Sequence, residues 1–176
     1  MQRKGTLTPD GEHAPLLFHR TYRHKPAHVW DAIATPEGLR ESLMCRYAVI
    51  EGRVGGRIEL VSGPPGYRST GTILAWEPPR LFEYEWNVAP VPEMPNGERA
   101  IFRYELTPYG DSTRVVVTYR NMTRQTAGGF PPGLHAFLDR LEAQLEGRHV
   151  PDWMERFVEV RDEYPEWRAH ATDQGR

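Results

Sequence analysis

Apolar and polar positions alternate with a period of two from Arg46 to Arg120, and after residue 132 the apolar residues recur at three and four. The first regime predicts strands at 46–51, 57–62, 69–77, 80–88, 98–107 and 112–120. Between them stand turn residues: Gly52, Gly55-Gly56, Gly63-Pro64-Pro65-Gly66, Glu77-Pro78-Pro79, Asn96-Gly97 and Tyr109-Gly110-Asp111. Gly55 and Gly56 read as a bulge or turn that bends the sheet. Connections this short make an antiparallel meander, since parallel crossovers need a dozen or more residues. Phe82, Tyr84, Trp86 and Val88 share one face; Ala100, Phe102, Tyr104 and Leu106 share one face of the next strand, and Val115, Val117 and Tyr119 one face of the last.

Upstream, PLLFHRTY at 15–22 gives a first strand, with Leu16, Phe18 and Arg20 opposite Leu17, His19 and Thr21. Two short helices follow at about 26–33 and 36–43. Pro26 opens the first, which carries an apolar stripe of Val29, Trp30 and Ile33; Thr35 caps the second before Pro36. Residues 121–133 break the strand pattern. Leu134, Phe137, Leu138, Leu141 and Leu145 then form the apolar stripe of a long helix ended by Gly147. A second amphipathic segment, about 151–164, presents Trp153, Met154, Phe157 and Val158. The predicted fold class is α+β: seven antiparallel strands wrapped around a helix at 133–147, in one domain over 15–164. Residues 1–14 are expected to be a flexible lead-in and 165–176 a flexible tail.

With 176 residues the chain holds one good core. A formal charge of −2 argues against a generally basic nucleic-acid binder. The single Cys45 excludes an internal disulfide and thiolate-rich metal sites, and fits a reducing compartment. No apolar run is long enough for a signal peptide or a membrane span, so a cytoplasmic protein with neither a nucleic-acid nor a membrane partner is expected.

A strand, two small helices, a meander and a long C-terminal helix make a helix-grip arrangement. HKPAHVWDAIATPEGLRESL at 24–43, GRVGGRIEL at 52–60, GTILAWEPPRLFEYEW at 71–86 and GLHAFLDRLEAQLEGR at 133–148 resemble bacterial members of the activator of Hsp90 ATPase homologue family. That family lies within the Bet v 1/START-like (SRPBCC) superfamily. The Glu77-Pro78-Pro79-Arg80 turn and the Leu138-Asp139-Arg140-Leu141 run are the most specific parts. The resemblance implies a cavity between sheet and helix, and the aromatic inner face supplies more bulk than a thin interface needs. By parity and helical stripe its lining is predicted to be Trp30, Phe82, Tyr84, Trp86, Phe102, Tyr104, Leu134 and Leu138, with His135 at the rim. The loops 62–69, 89–98 and 121–133 are expected around its mouth.

His135 and Asp139, four apart on the long helix, are read as a surface or rim pair, with an oriented general base as the alternative. Arg103 is expected to be exposed and paired with Glu83 or Glu85. His24 and His28 lack a third metal ligand nearby, the glycines spell no phosphate loop, and Ser62 and Ser69 lack a nucleophile elbow. No metal and no cofactor are therefore expected. The function predicted is non-covalent binding or carrying of a small hydrophobic or aromatic molecule. The alternatives are a co-chaperone-like interaction module and, less favoured, a cyclase- or hydrolase-like enzyme. The apolar residues of 152–164 either fold back on the domain or pair two copies, and a homodimer is the expectation.

Overall fold

The computed structural model describes residues 3–165 and Trp167. Among these, strands β1 (Thr6–Leu7), β2 (Leu16–Tyr22), β3 (Tyr47–Ile50), β4 (Arg57–Ser62), β5 (Tyr67–Glu77), β6 (Leu81–Val88), β7 (Glu98–Tyr109) and β8 (Ser112–Arg120) form one antiparallel sheet. Its order is β1-β2-β8-β7-β6-β5-β4-β3. Helices α1 (Pro26–Ile33) and α2 (Pro36–Ser42) follow β2; α3 (Arg124–Gly129), α4 (Pro131–Leu145) and α5 (Trp153–Arg161) follow β8.

The sheet has eight strands, not the seven predicted. The extra one lies in the supposed lead-in, where Thr6 and Leu7 pair with Leu17 and Leu16. Two residues are too few to show a period, so the sequence hides it. The lead-in is also tied down further along, by a His13–Thr123 bridge and by Ala14 donating its N–H to the Met122 carbonyl at 2.9 Å. The expected tail, Pro165 and Trp167 apart, lies outside the described residues.

The period-two alternation places the aromatic side chains inward. Tyr84 stands opposite Phe102, and Phe102 opposite Tyr119, which in turn faces Leu16 across β2. All four are buried. On the outer face Arg103 lies opposite Glu83 and bonds it at 3.0 Å, and also reaches Glu105 at 3.1 Å, in a surface network that includes Arg120. The sheet curves at a register shift between Ile73 and Ala75. Near it Gly71 packs so closely on β6 that a Cβ there would lie 2.0 Å from the Glu85 carbonyl oxygen.

Helix starts follow their caps. The Thr35 hydroxyl accepts from Gly38 N–H at 3.1 Å ahead of Pro36, and Asp152 accepts from Glu155 N–H at 3.0 Å at the head of α5. Helix α3 lies in the expected 121–133 loop; its six residues, RQTAGG, carry no apolar stripe, and its sequence signal is the Thr123 cap. Helix α4 is buried on more than the face its leucines mark, because His135, Asp139 and Arg140 are also covered. Phe18 of β2 and Tyr164 cover His135, α2 covers Arg140, and Arg156 of α5, which folds back along α4, reaches Asp139. Trp153 stacks against Phe137 with ring centroids 5.6 Å apart and donates its indole N–H to the Gly133 carbonyl at 3.1 Å. Arg140 bonds the Ser42, Glu41 and Pro151 carbonyls, tying α2 and the α5 approach to α4.

Candidate functional site

Between the sheet, α3, α4 and α5 lies a cavity of about 370 Å³, within the range of small-molecule sites. Its sheet wall is Leu60, Tyr84, Trp86, Phe102 and Tyr119. Helices α3 and α4 contribute Gln125, Thr126, Gly129, Gly133, Leu134 and Phe137, with Phe130 at their junction. Helix α5 closes a side with Trp153 and Phe157, and Trp167 lies beyond them. Phe130, Gly133, Leu134 and Phe137 are three and four apart, so one face of α4 and its entry serves the cavity.

The rings support one another edge to face. Phe130 lies 5.0 Å from Tyr119 and 5.5 Å from Trp86, while Phe102 sits 4.1 Å from Tyr119, centroid to centroid. All three segments expected around the mouth contribute: Ser62 to Pro65 and Tyr67 from the first, Glu93 and Met94 from the second, α3 and its flanks from the third. Burial, reinforced by neighbouring Glu93, pushes the Tyr67 phenol up to about 12. Burial likewise holds Tyr84 and Tyr119 well above the usual tyrosine range.

Of the nine residues predicted for the site, the structure brings Tyr84, Trp86, Phe102 and Leu134 together on the cavity wall. Trp30, Phe82, Tyr104, Leu138 and His135 are buried and do not line it. Trp30 and Phe82 instead close the neighbouring end of the core with Trp76, which lies 5.1 Å from each. Tyr104 stacks on Phe82 there at 6.5 Å. Leu138 is buried in the core, and its carbonyl accepts from the Tyr22 hydroxyl at 3.2 Å. Parity sorts residues inward from outward, but it does not separate filled core from open space. The missed residues include Tyr119, which shares the parity of Val115 and Val117, and Trp153 and Phe157, an i,i+4 pair. Met94 and Phe130 carry no periodic signal.

His135 is not at a rim. It is 2% exposed, on the opposite side of α4 from Gly133 and Phe137, because Phe18 of β2 and Tyr164 cover that face. Its Nδ1 lies 2.7 Å from the Tyr164 hydroxyl, which accepts from Gly5 N–H at 3.0 Å. Its Nε2 stands 3.4 Å from the Asp139 carboxylate, an ion-pair distance without hydrogen-bond geometry. Asp139 gathers three guanidiniums: Arg20 at 2.6 Å, Arg3 at 2.7 Å and Arg156 at 2.7 Å. Burial alone would raise this carboxyl, but the approach of His135 and the charge and hydrogen bond of Arg20 outweigh it and hold it well below the usual carboxylate range. The pair expected at the surface is the centre of a buried polar cluster that fastens β2, α5 and the segment before β1 to α4. Cys45 is buried too, its thiol pushed up by burial and lying 3.0 Å from the Tyr47 carbonyl.

Among the described residues no group of three or more His, Cys, Asp or Glu is placed to hold a metal ion, and no helix is long and apolar enough to cross a membrane.

A curved antiparallel sheet gripping a long helix around an apolar cavity is the architecture of START-like proteins. Residues 23–146 match the family described as Activator of Hsp90 ATPase homolog 1-like protein, and the chain belongs to it. The match leaves out β1, β2 and α5. Protein MLL2253 from Mesorhizobium loti is similar at 27% identity and a TM-score of 0.66, over 76% of this chain and 96% of that one. CalU16 from Micromonospora echinospora, at 21% identity and a TM-score of 0.67, covers 92% of each chain. The protein encoded by BPP1335 of Bordetella parapertussis shares 21% identity, with a TM-score of 0.66 over 89% of this chain and 86% of its own. At 21% identity the last two speak for the fold alone. No curated protein matches.

Proposed function

We propose that the protein binds or carries a small apolar or aromatic molecule non-covalently in the cavity between sheet and helices. The observation that carries this reading is a space of about 370 Å³ walled on three sides by aromatic rings. A planar ligand entering it exchanges water for ring faces, and each buried ring contributes a few kcal/mol, on the order of 25 cal/mol per Å² of apolar area. The groups that an enzymatic reading would use, His135 and Asp139, lie on the other face of α4 and are held by arginines and Tyr164. That arrangement supports binding over turnover.

Native mass spectrometry of freshly purified protein tests the reading. The expected result is a non-covalent adduct that disappears on denaturation. Trp86→Ala, which removes one wall, should weaken binding of a recovered ligand by about tenfold or more. A consistently ligand-free mass, together with failure to bind any aromatic probe, would overturn the proposal. The same spectra report subunit number. A homodimer through α5 rests on Met154 and Val158, which remain 54% and 43% exposed after Trp153 and Phe157 have turned inward. Sedimentation at micromolar concentration as a single 20 kDa species would refute it.

A further inference from the structure

The polar inventory of the cavity constrains what can fill it. Among the described residues Glu93 is the one charged side chain on its wall, and no Lys, Arg or His lines it. Glu93 is exposed and neighbours Tyr67, so even that charge stands at the mouth. Among the described residues an anion entering this space finds no counter-charge and one carboxylate to repel it.

Deeper in, Tyr84 and Tyr119 are 4% and 5% exposed, yet neither hydroxyl has a hydrogen-bond partner among the described residues. Neither is among the atoms sealed in the core without a partner, so each opens onto the cavity. A phenol placed in an apolar wall without an acceptor forfeits the hydrogen bond it made in water. Two such donors, on β6 and β8 and separated by Phe102 of β7, make a prepared site for an acceptor. Because burial keeps both phenols protonated through mildly alkaline pH, they present donors under all ordinary conditions.

We infer that the cavity selects a neutral planar molecule whose leading end bears a carbonyl or ether oxygen, and that Tyr84 and Tyr119 are the donors that orient it. This rests on the proposed binding role and deepens it. The site discriminates against carboxylates and phosphates on the same ring frame.

Isothermal titration at neutral pH with three naphthalenes of one ring frame tests the inference: 2-ethylnaphthalene, 2-acetylnaphthalene and 2-naphthoate. The ketone should bind about tenfold more tightly than the hydrocarbon, and the naphthoate most weakly. In the Tyr84→Phe/Tyr119→Phe double variant the ratio of ketone to hydrocarbon affinity should fall towards one. Hydrocarbon binding should remain measurable there, and an unchanged far-ultraviolet circular dichroism spectrum shows that the variant is folded. Hydrocarbon binding equal to ketone binding in the unmodified protein, tight naphthoate binding, or a ketone preference that survives the double substitution would each overturn the inference while leaving the binding role standing. Failure of all three probes to bind would overturn the binding role and the inference with it.

Discussion

Replacing Asp139 with Asn keeps the side chain's shape and removes the one negative charge on which Arg3, Arg20 and Arg156 converge. The three arginines do not suffer equally. Arg3 and Arg156 have side chains 42% and 30% exposed and keep second partners in Glu142 and Glu159, so they can turn to water at little cost. The Arg20 side chain is 2% exposed, and its other hydrogen bond goes to the Arg3 carbonyl at 2.9 Å. Stranding that guanidinium is the main penalty. Breaking a buried pair from one side costs about 3–5 kcal/mol. At about 2–4 °C per kcal/mol for a domain of this size, the melting temperature should fall by roughly 6–20 °C. Urea denaturation followed by near-ultraviolet circular dichroism measures the loss directly. The pH profile supplies a second check. Asp139 titrates lower in the folded chain than in the unfolded one, so across and below the ordinary carboxylate range the unfolded state binds more protons. The stabilisation is complete above about pH 5 and drains away as the solution is acidified below about pH 4. Asp139→Asn should lose that acid-dependent component. A deficit below about 1 kcal/mol, or an unchanged acid limb, would show that solvent or relaxation neutralises Arg20 and that the cluster is not the fastening described.

Three further outcomes follow from the same packing. Trp153→Ala, which removes the ring on Phe137 and the bond to the Gly133 carbonyl, should raise amide exchange across Trp153–Arg161 and weaken cavity binding several-fold; unchanged exchange there would mean that α5 is held by Arg156 and Arg140 instead. His135→Ala should lower stability by about 1–3 kcal/mol yet leave aromatic-probe affinity within twofold, and a selective loss of binding would place His135 functionally in the cavity after all. Amide exchange should be faster in 62–67 and 89–97 than in the central strands, and uniform protection in all of them would argue against ligand entry past these loops.

Much of the sheet was legible because its parity is unambiguous. Phe82, Tyr84 and Trp86 face inward for the same reason that Glu83 and Glu85 do not, and a one-residue slip would have reversed them all. The cavity was legible only in part. Its sheet wall obeys parity, but its closure depends on segments with no period: the 62–67 turn, Met94, and the α3–α4 joint at Phe130. Where open space begins depends on which large side chain reaches furthest, and Trp76 filling the Trp30–Phe82 end is a matter of three-dimensional packing. The Asp139 cluster was hidden for a related reason. An i,i+4 histidine and aspartate on a helix look the same whether they face water or a second layer, and the arginines that reveal the layer come from positions 3, 20 and 156.

The fastening at Asp139 joins parts of the chain made at opposite ends of synthesis. Arg3 meets Asp139 across 136 positions of sequence, and Gly5 meets the Tyr164 hydroxyl across 159. During translation the meander from β3 to β8 can pair strand by strand as it emerges, because its neighbours are joined by short turns. The β1–β2 pair has no neighbour in the meander that is close in sequence: β2 waits for β8, and the cluster waits for α4 and then α5. Until the last of these leaves the ribosome the aromatic wall stands open on the α5 side, with Phe137 bare. The nascent chain therefore passes through a stage in which it exposes a greasy trough, and only arrival of the C-terminal helix turns that trough into a container.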